Sequence, residues 1–260
     1  MPARGAVVVL PALGLAARFY RPLAQALAAI GFFAVVLEPR GHGDSPWRPD
    51  RHCNYGFAEW IREDIPAAVN QARLHSDKPV VLGHSLGGHL AAMFAADRPE
   101  AVGGLVLSAC GSPWRQAYAL GTRLRVDFLR HFVIPLSGVM GYYPGDRVGF
   151  GGREARRLMQ DWSALARTNR YRAYGIDIDY DAALRDFSAP VLVMRYADDP
   201  YAPLAAVAAV QQKLHAAPVS HIVLDEQQLG AAANHHRWVR QPRAPVDCVH
   251  QWMQSNGLIL

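Results

Sequence analysis

Short, largely apolar runs alternate along the chain with longer stretches whose apolar residues recur at helical spacing. The runs Ala6–Leu10, Phe33–Leu37, Pro79–Leu82, Gly103–Ser108, Pro190–Arg195 and Ser220–Leu224 are expected to be strands. Continuous apolar runs with no polar alternation are what strands covered on both faces require. Helices are expected over Arg18–Ala29, Ala58–Leu74, Leu86–Ala96, Pro203–Leu214 and Ala244–Gln254, with a kink at Pro66. Strand–helix alternation of this kind predicts an α/β fold with a mostly parallel, doubly wound sheet.

The rhythm fails between Ser112 and Asp186. That stretch carries aromatic, arginine and glycine clusters, helical pieces near Arg115–Arg130 and Glu154–Arg167, and no convincing strand. It reads as a helical lid over residues 112–185, inserted into a core made of residues 1–111 and 186–260. Ligands of open parallel sheets bind beyond the carboxyl ends of the strands, where such an insertion would lie.

Composition narrows the class. A chain of 260 residues with 51% hydrophobic and 19% charged residues can bury a substantial core. Cysteines 53, 110 and 248 are few and widely spaced, which suits a reducing, cytoplasmic setting and shows no metal-ligand spacing. Arg4 followed by Gly5–Ala17 has the outline of a short secretory signal. The same residues are needed for the first strand and its following loop, so they are assigned to the core. The net charge of +5 is almost all arginine, and its distribution matters more than its size. Between Ser112 and Arg185 there are 12 arginines against 7 acidic residues, while the rest of the chain is balanced. No basic tail or basic helical stripe accompanies this excess, so no nucleic-acid partner is expected.

Candidate chemistry centres on Gly83-His84-Ser85-Leu86-Gly87-Gly88, between the third strand and the third helix. A strand that turns on glycines and becomes a helix at a serine is a nucleophile elbow. It holds the serine hydroxyl above the sheet beside a helix N-terminus, which favours developing negative charge. A serine needs a base to take its proton, and the base needs a carboxylate to orient it. The carboxylate is sought after a later strand, in Ala197-Asp198-Asp199-Pro200; Asp199 has the better register and Asp198 is the alternative. The base is sought after the last strand, in Asn234-His235-His236. His42 and His84 lie nearby in sequence terms but are expected in turns that point away. Two backbone N–H groups are needed for an oxyanion: Leu86, after the nucleophile, and Leu13 in the first loop, with Ala12 as the lesser choice.

With these residues in place the chain resembles the α/β-hydrolase superfamily. The motifs are Pro11-Ala-Leu-Gly14, Arg40-Gly-His-Gly-Asp-Ser45, Gly83-His-Ser-Leu-Gly-Gly88, Ala197-Asp-Asp199 with Pro203, and Asn234-His-His-Arg-Trp238. The insertion segments Tyr142-Tyr-Pro-Gly145, Gly149-Phe-Gly-Gly-Arg153 and Asp177-Ile-Asp-Tyr180 look like a bacterial subgroup of predicted serine hydrolases. Aligning its usual His-Phe pair on this chain puts the base at His235 and the phenylalanine at His236. Family members often carry His-Gly where Pro11-Ala12 stand here, and usually have an antiparallel strand pair ahead of the first parallel strand. Only Met1–Gly5 precede Ala6, so either the start is misplaced or the sheet is shortened. A shortened sheet would expose the edge of strand Phe33–Leu37 to dimerisation.

The resemblance implies a cofactor-independent, metal-free serine hydrolase with Ser85, His235 and Asp199 as its triad. Its partner would be a small-molecule acyl substrate: an ester, thioester or amide. The arginine-rich, aromatic insertion favours an anionic or amphipathic one. The same triad can serve carbon–carbon bond cleavage, cofactor-free peroxidation or acyl transfer, and the fold can persist in a binding protein without turnover.

Overall fold

The computed structural model describes residues 3–259. Six strands form a wholly parallel sheet: β1 (Gly5–Leu10), β2 (Phe32–Val36), β3 (Val80–His84), β4 (Gly104–Ser108), β7 (Val191–Tyr196) and β8 (Val219–Leu224). Their order across the sheet is β2-β1-β3-β4-β7-β8, so chain direction along the sheet reverses after β2, with β1 and β3 side by side and β3 and β4 at its centre. Each expected strand is present, with bounds that shift by no more than two residues.

The alternation hidden in the apolar runs is resolved by the two faces. Ala6, Val8 and Leu10 of β1 enter one core with Val81, Leu105, Val191 and the helices of residues 57–97. Val7 and Val9 enter the other with Val106, Leu192 and the helices Arg21–Ala29 and Arg243–Ser255. A strand covered on both sides needs apolar residues at every position, which is why these strands read as unbroken runs. The helix Leu86–Asp97 is buried nearly all round for the same reason. By contrast β8 is an edge strand and exposes Ser220, His221 and Val223. The other edge is β2, the strand expected to be open; Met1 and Pro2, on which the question of a preceding pair also bears, lie outside the described residues.

Pro66 does not simply kink its helix. The segment runs as Phe57–Glu59, a π turn over Trp60–Asp64, then Ile65–Arg73. A proline cannot donate to the carbonyl four residues back, and a wider turn just before it absorbs that missing bond. The same device recurs in the insertion, where a π turn over Leu129–Val133 precedes Pro135.

The segment between β4 and β7 is mostly helical, as expected, with two corrections. The first helical piece is longer than Arg115–Arg130: a continuous helical stretch runs Leu120–Phe128, Leu129–Val133 and Ile134–Met140. Proline and glycine in Ile134-Pro-Leu-Ser-Gly-Val-Met140 hid its second half. There is also a strand pair, β5 (Tyr143–Pro144) with β6 (Arg153–Glu154), too short to leave a periodic signal.

Candidate active site

Ser85 stands between β3 and the helix Leu86–Asp97 with φ 54° and ψ −116°, a conformation that costs an L-residue strain. The flanking glycines are required by space. A Cβ on Gly83 would overlap the backbone of Gly87 and Gly88, and one on Gly87 would overlap the carbonyl of Leu10. The turn is locked by Ser85 N–H donating to Ser108 O at 3.0 Å and Gly88 N–H donating to Ser85 O at 2.9 Å.

His235 Nε2 lies 2.9 Å from Ser85 Oγ, and His235 Nδ1 lies 2.7 Å from Asp199 Oδ2. A carboxylate only accepts, so Nδ1 carries the proton and Nε2 is left with its lone pair toward the serine. Asp199 and His235 are both buried, although each comes from a loop. The second oxygen of Asp199 accepts from Tyr201 N–H at 2.9 Å and Ala202 N–H at 3.2 Å. One carboxylate therefore caps the turn ahead of the next helix and also faces the imidazole. Asp198 is exposed, and its N–H serves Ala233 O. His236 is exposed too, edge-on to His235 at 4.8 Å between ring centres. Register after the strand favoured Asp199 over Asp198, and the family resemblance favoured His235 over His236; the structure hydrogen-bonds Asp199 to His235 and His235 to Ser85.

His84 is the residue sequence reasoning misplaced. It is the last residue of β3, not part of a turn, and it lies fully buried beneath the site. Its Nε2 donates to the carbonyl of His235 at 2.8 Å, and its Nδ1 pairs with Tyr20 Oη at 2.7 Å. Tyr20 Oη in turn accepts from Ala12 N–H at 2.8 Å. Burial, with His235 and His236 close by, holds the His84 imidazole neutral, well below the usual histidine range. A second donor, Trp238 Nε1, reaches the same His235 carbonyl at 3.1 Å. The first loop and the loop of His235 are thus joined through the sheet. A histidine closing an otherwise apolar strand was the available signal; nothing local marked Tyr20.

This chain also bears on the oxyanion donors. Ala12 N–H is occupied by Tyr20 Oη, whereas Leu13 N–H donates to no acceptor among the described residues. Leu86 opens its helix, where first-turn amides have no intrahelical acceptor. Ala12, Leu13, Ser85 and Leu86 all line one cavity of about 140 Å³. Its opposite wall comes from the insertion: Tyr118, Thr122, Val126, Leu129, Phe150 and Trp162. Arg125 stands at the same cavity, its guanidinium donating to Gly149 O at 2.7 Å and to Tyr201 Oη at 3.2 Å.

The loop Arg40–Ser45 has a structural part. Arg40 holds Asp64 with bonds of 2.9–3.0 Å, and His42 Nε2 sits 3.1 Å from both oxygens of buried Glu154 in the insertion. Burial disfavours the His42 imidazolium, but the hydrogen bond and charge of Glu154 outweigh it and move its pKa upward. His42 is thus committed to Glu154.

His84, His235 and His236 cluster closely enough to suggest a metal site among the described residues. Both nitrogens of His84 and both of His235 are already engaged in the hydrogen bonds above, so the donor set does not fit an ion.

A family model described as the alpha/beta hydrolase fold matches residues 5–137, just over half the chain. The chain belongs to the α/β-hydrolase family. It is 29% identical to RutD of Variovorax paradoxus (strain S110), a carbamate hydrolase by name, over 218 residues covering 78% of this chain and 77% of that one. A structure from the metagenome-derived lipolytic enzymes LipS and LipT superposes with a TM-score of 0.67 at 14% identity, covering 98% of this chain and 95% of the other. The monoacylglycerol lipase of Paleococcus ferrophilus gives 0.62 at 19% identity, covering 98% and 96%. At such identities these structures establish the common fold. No helix among the described residues is long and apolar enough to cross a membrane.

Proposed function

We propose that this α/β hydrolase is a cofactor-independent serine hydrolase that cleaves an ester or related acyl bond through an acyl-enzyme. The observation that carries the reading is the unbroken series Ser85–His235–Asp199, held at 2.9 and 2.7 Å and opening on the 140 Å³ cavity. Ser85 Oγ attacks the acyl carbon as its proton passes to His235 Nε2, and the carbonyl electrons move onto the oxygen. The N–H groups of Leu13 and Leu86 stabilise that oxyanion. Collapse expels the alcohol, which takes the proton from His235, and leaves the acyl group on Ser85. Water then repeats the sequence, giving its proton to His235 as it attacks, and releases the acid and free serine. Asp199 keeps the Nδ1–H tautomer and stabilises the imidazolium.

Residues 112–185 act as the lid of this site, since they supply the wall facing Ser85. The cavity is close in size to the roughly 150 Å³ that accommodates benzene in an engineered apolar site, so a short or single-ring group is the best fit. The likeness to RutD adds carbamates to the acyl classes worth testing.

Labelling with a fluorophosphonate, then a panel of nitrophenyl esters of rising chain length with a carbamate included, tests the reading. Stoichiometric labelling of wild type and none of Ser85→Ala is expected, with turnover greatest for short acyl chains. Equal labelling of the Ala variant would remove Ser85 from the mechanism.

A further inference from the structure

The helical stretch Leu120–Met140 has two faces of opposite purpose. Val126, Leu129, Val133 and Ile134 are buried, and Val126 and Leu129 line the cavity above Ser85. On the other side Leu120, Leu124, Phe128, Phe132, Leu136 and Val139 are each 52–70% exposed. Of the large hydrophobic side chains most exposed among the described residues, more than half lie on this one stretch. Their spacing is regular: five positions four apart, then one three further on. An i+4 row drifts by about 40° per step around a regular helix. The wider π turn at Leu129–Val133 takes back part of that drift, and Phe128 and Phe132 remain stacked with ring centres 5.6 Å apart. Singly exposed apolar residues need no explanation, but a contiguous stripe of six marks a surface that is covered in use.

Charge decides what covers it. The stretch carries Arg123, Arg125, Arg130 and His131 against Asp127 alone. Asp127 is shared between Arg115, at 2.7 Å, and Arg130, at 3.4 Å. The hydrogen bonds of Arg123 and Arg125 go to carbonyl and hydroxyl oxygens, which leave their charges uncompensated. A second copy docked on the same patch would satisfy the apolar stripe but bring these arginines against themselves, since a two-fold contact pairs a surface with its own image. Arg130 is buried beside Asp127, but an anionic lipid surface satisfies both the stripe and the two uncompensated charges: leucine and phenylalanine enter the acyl boundary, and Arg123 and Arg125 meet the headgroups.

We propose that the stretch Leu120–Met140 lies in the plane of an anionic lipid surface, with its apolar stripe in the headgroup–acyl boundary. The cavity-lining face of the same helix then opens next to the lipid, so an amphipathic acyl compound can pass from the surface toward Ser85. This goes beyond the proposed hydrolysis, because binding to lipid needs no turnover.

The test is co-sedimentation with unilamellar vesicles of phosphatidylcholine alone and of phosphatidylcholine mixed with phosphatidylglycerol, at low and high salt. Wild type and Ser85→Ala are expected to bind the mixed vesicles equally, more tightly than the neutral ones, and less tightly at high salt. The combined variant Leu124→Gln, Phe128→Gln, Phe132→Gln should lose about tenfold or more in affinity. Its melting temperature and its turnover of a short soluble ester should stay unchanged, because these side chains neither support the core nor line the cavity. Equal vesicle binding by this variant and wild type would overturn the proposal. So would a wild type that ignores vesicles, whether it is a monomer or a dimer that the variant dissolves; the dimer would assign the stripe to a second copy.

Discussion

Two regions meet at the cavity, and they are built differently. Below Ser85, the polar atoms around His235 are engaged inside the protein: Asp199 accepts three hydrogen bonds, the carbonyl of His235 accepts two, and His84 spends both nitrogens. Above it, the helix Leu120–Met140 turns six large apolar side chains outward, bends through a π turn and fixes its arginines largely on backbone carbonyls. Several buried polar atoms of the insertion, Arg130 Nε, Tyr143 Oη and Arg156 Nε, have no protein partner. The lower region is over-determined, which is what the proposed chemistry would require of the groups around Ser85. The upper region is held by fewer constraints, which suits a surface that must admit substrate and meet partners.

Breaking the lower region should therefore cost activity most. Ser85→Ala should abolish ester turnover to within background while leaving the melting temperature near wild type. Asp199→Asn and His235→Gln should each lower kcat by about 10³–10⁴. Asp198→Asn and His236→Gln, which alter exposed neighbours, should stay within about tenfold. Steady-state kinetics on folded variants measures this, and a larger loss from either neighbour would move the role by one residue.

Next in size is the bridge between the two loops. Tyr20→Phe frees Ala12 N–H and leaves His84 Nδ1 without its donor, at a cost of about 1–3 kcal/mol for buried polar groups left unpaired. A fall in kcat at unchanged KM is expected together with the lowered melting temperature. Full activity in a destabilised Tyr20→Phe protein would limit the bridge to stability.

A pH experiment sharpens the same region through His89, which lines the cavity and is fully buried between Tyr171 Oη and Gly111 O. Burial pushes its pKa down to about 4. The unfolded chain binds a proton near pH 6.5 that the native one refuses, so this contribution to stability is present above that pH and is lost as pH falls. Between pH 7.5 and 5, wild type should lose about 2 kcal/mol more than His89→Gln in denaturant melts. Parallel losses in the two proteins would contradict the burial of an uncharged His89.

The smallest effect belongs to the upper region. Arg125→Gln should lower the preference for an anionic over a matched neutral ester by a few-fold, and salt should erase the preference in wild type. A ratio that ignores both the substitution and ionic strength would separate Arg125 from substrate recognition.

Apolar runs and glycine turns were enough to specify the parallel sheet, its strand bounds and the elbow at Ser85. Burial on both faces and steric exclusion of Cβ act on neighbouring residues and leave their mark in the chain itself. The pairs Asp198-Asp199 and His235-His236 were legible as candidates, because each follows a strand whose end must face the serine; register favoured Asp199, and only the family resemblance favoured His235. The sequence could not show that His84 and Tyr20 tie the first loop to the loop of His235, since residues 64 positions apart meet only when β1, β3 and the helix after β1 pack together. Nor could it show which side of Leu120–Met140 faces water. Proline and glycine masked its second half, and a π turn re-phased its apolar positions. Only the packing of Val126, Leu129 and Val133 onto the core decided which leucines and phenylalanines were left outside.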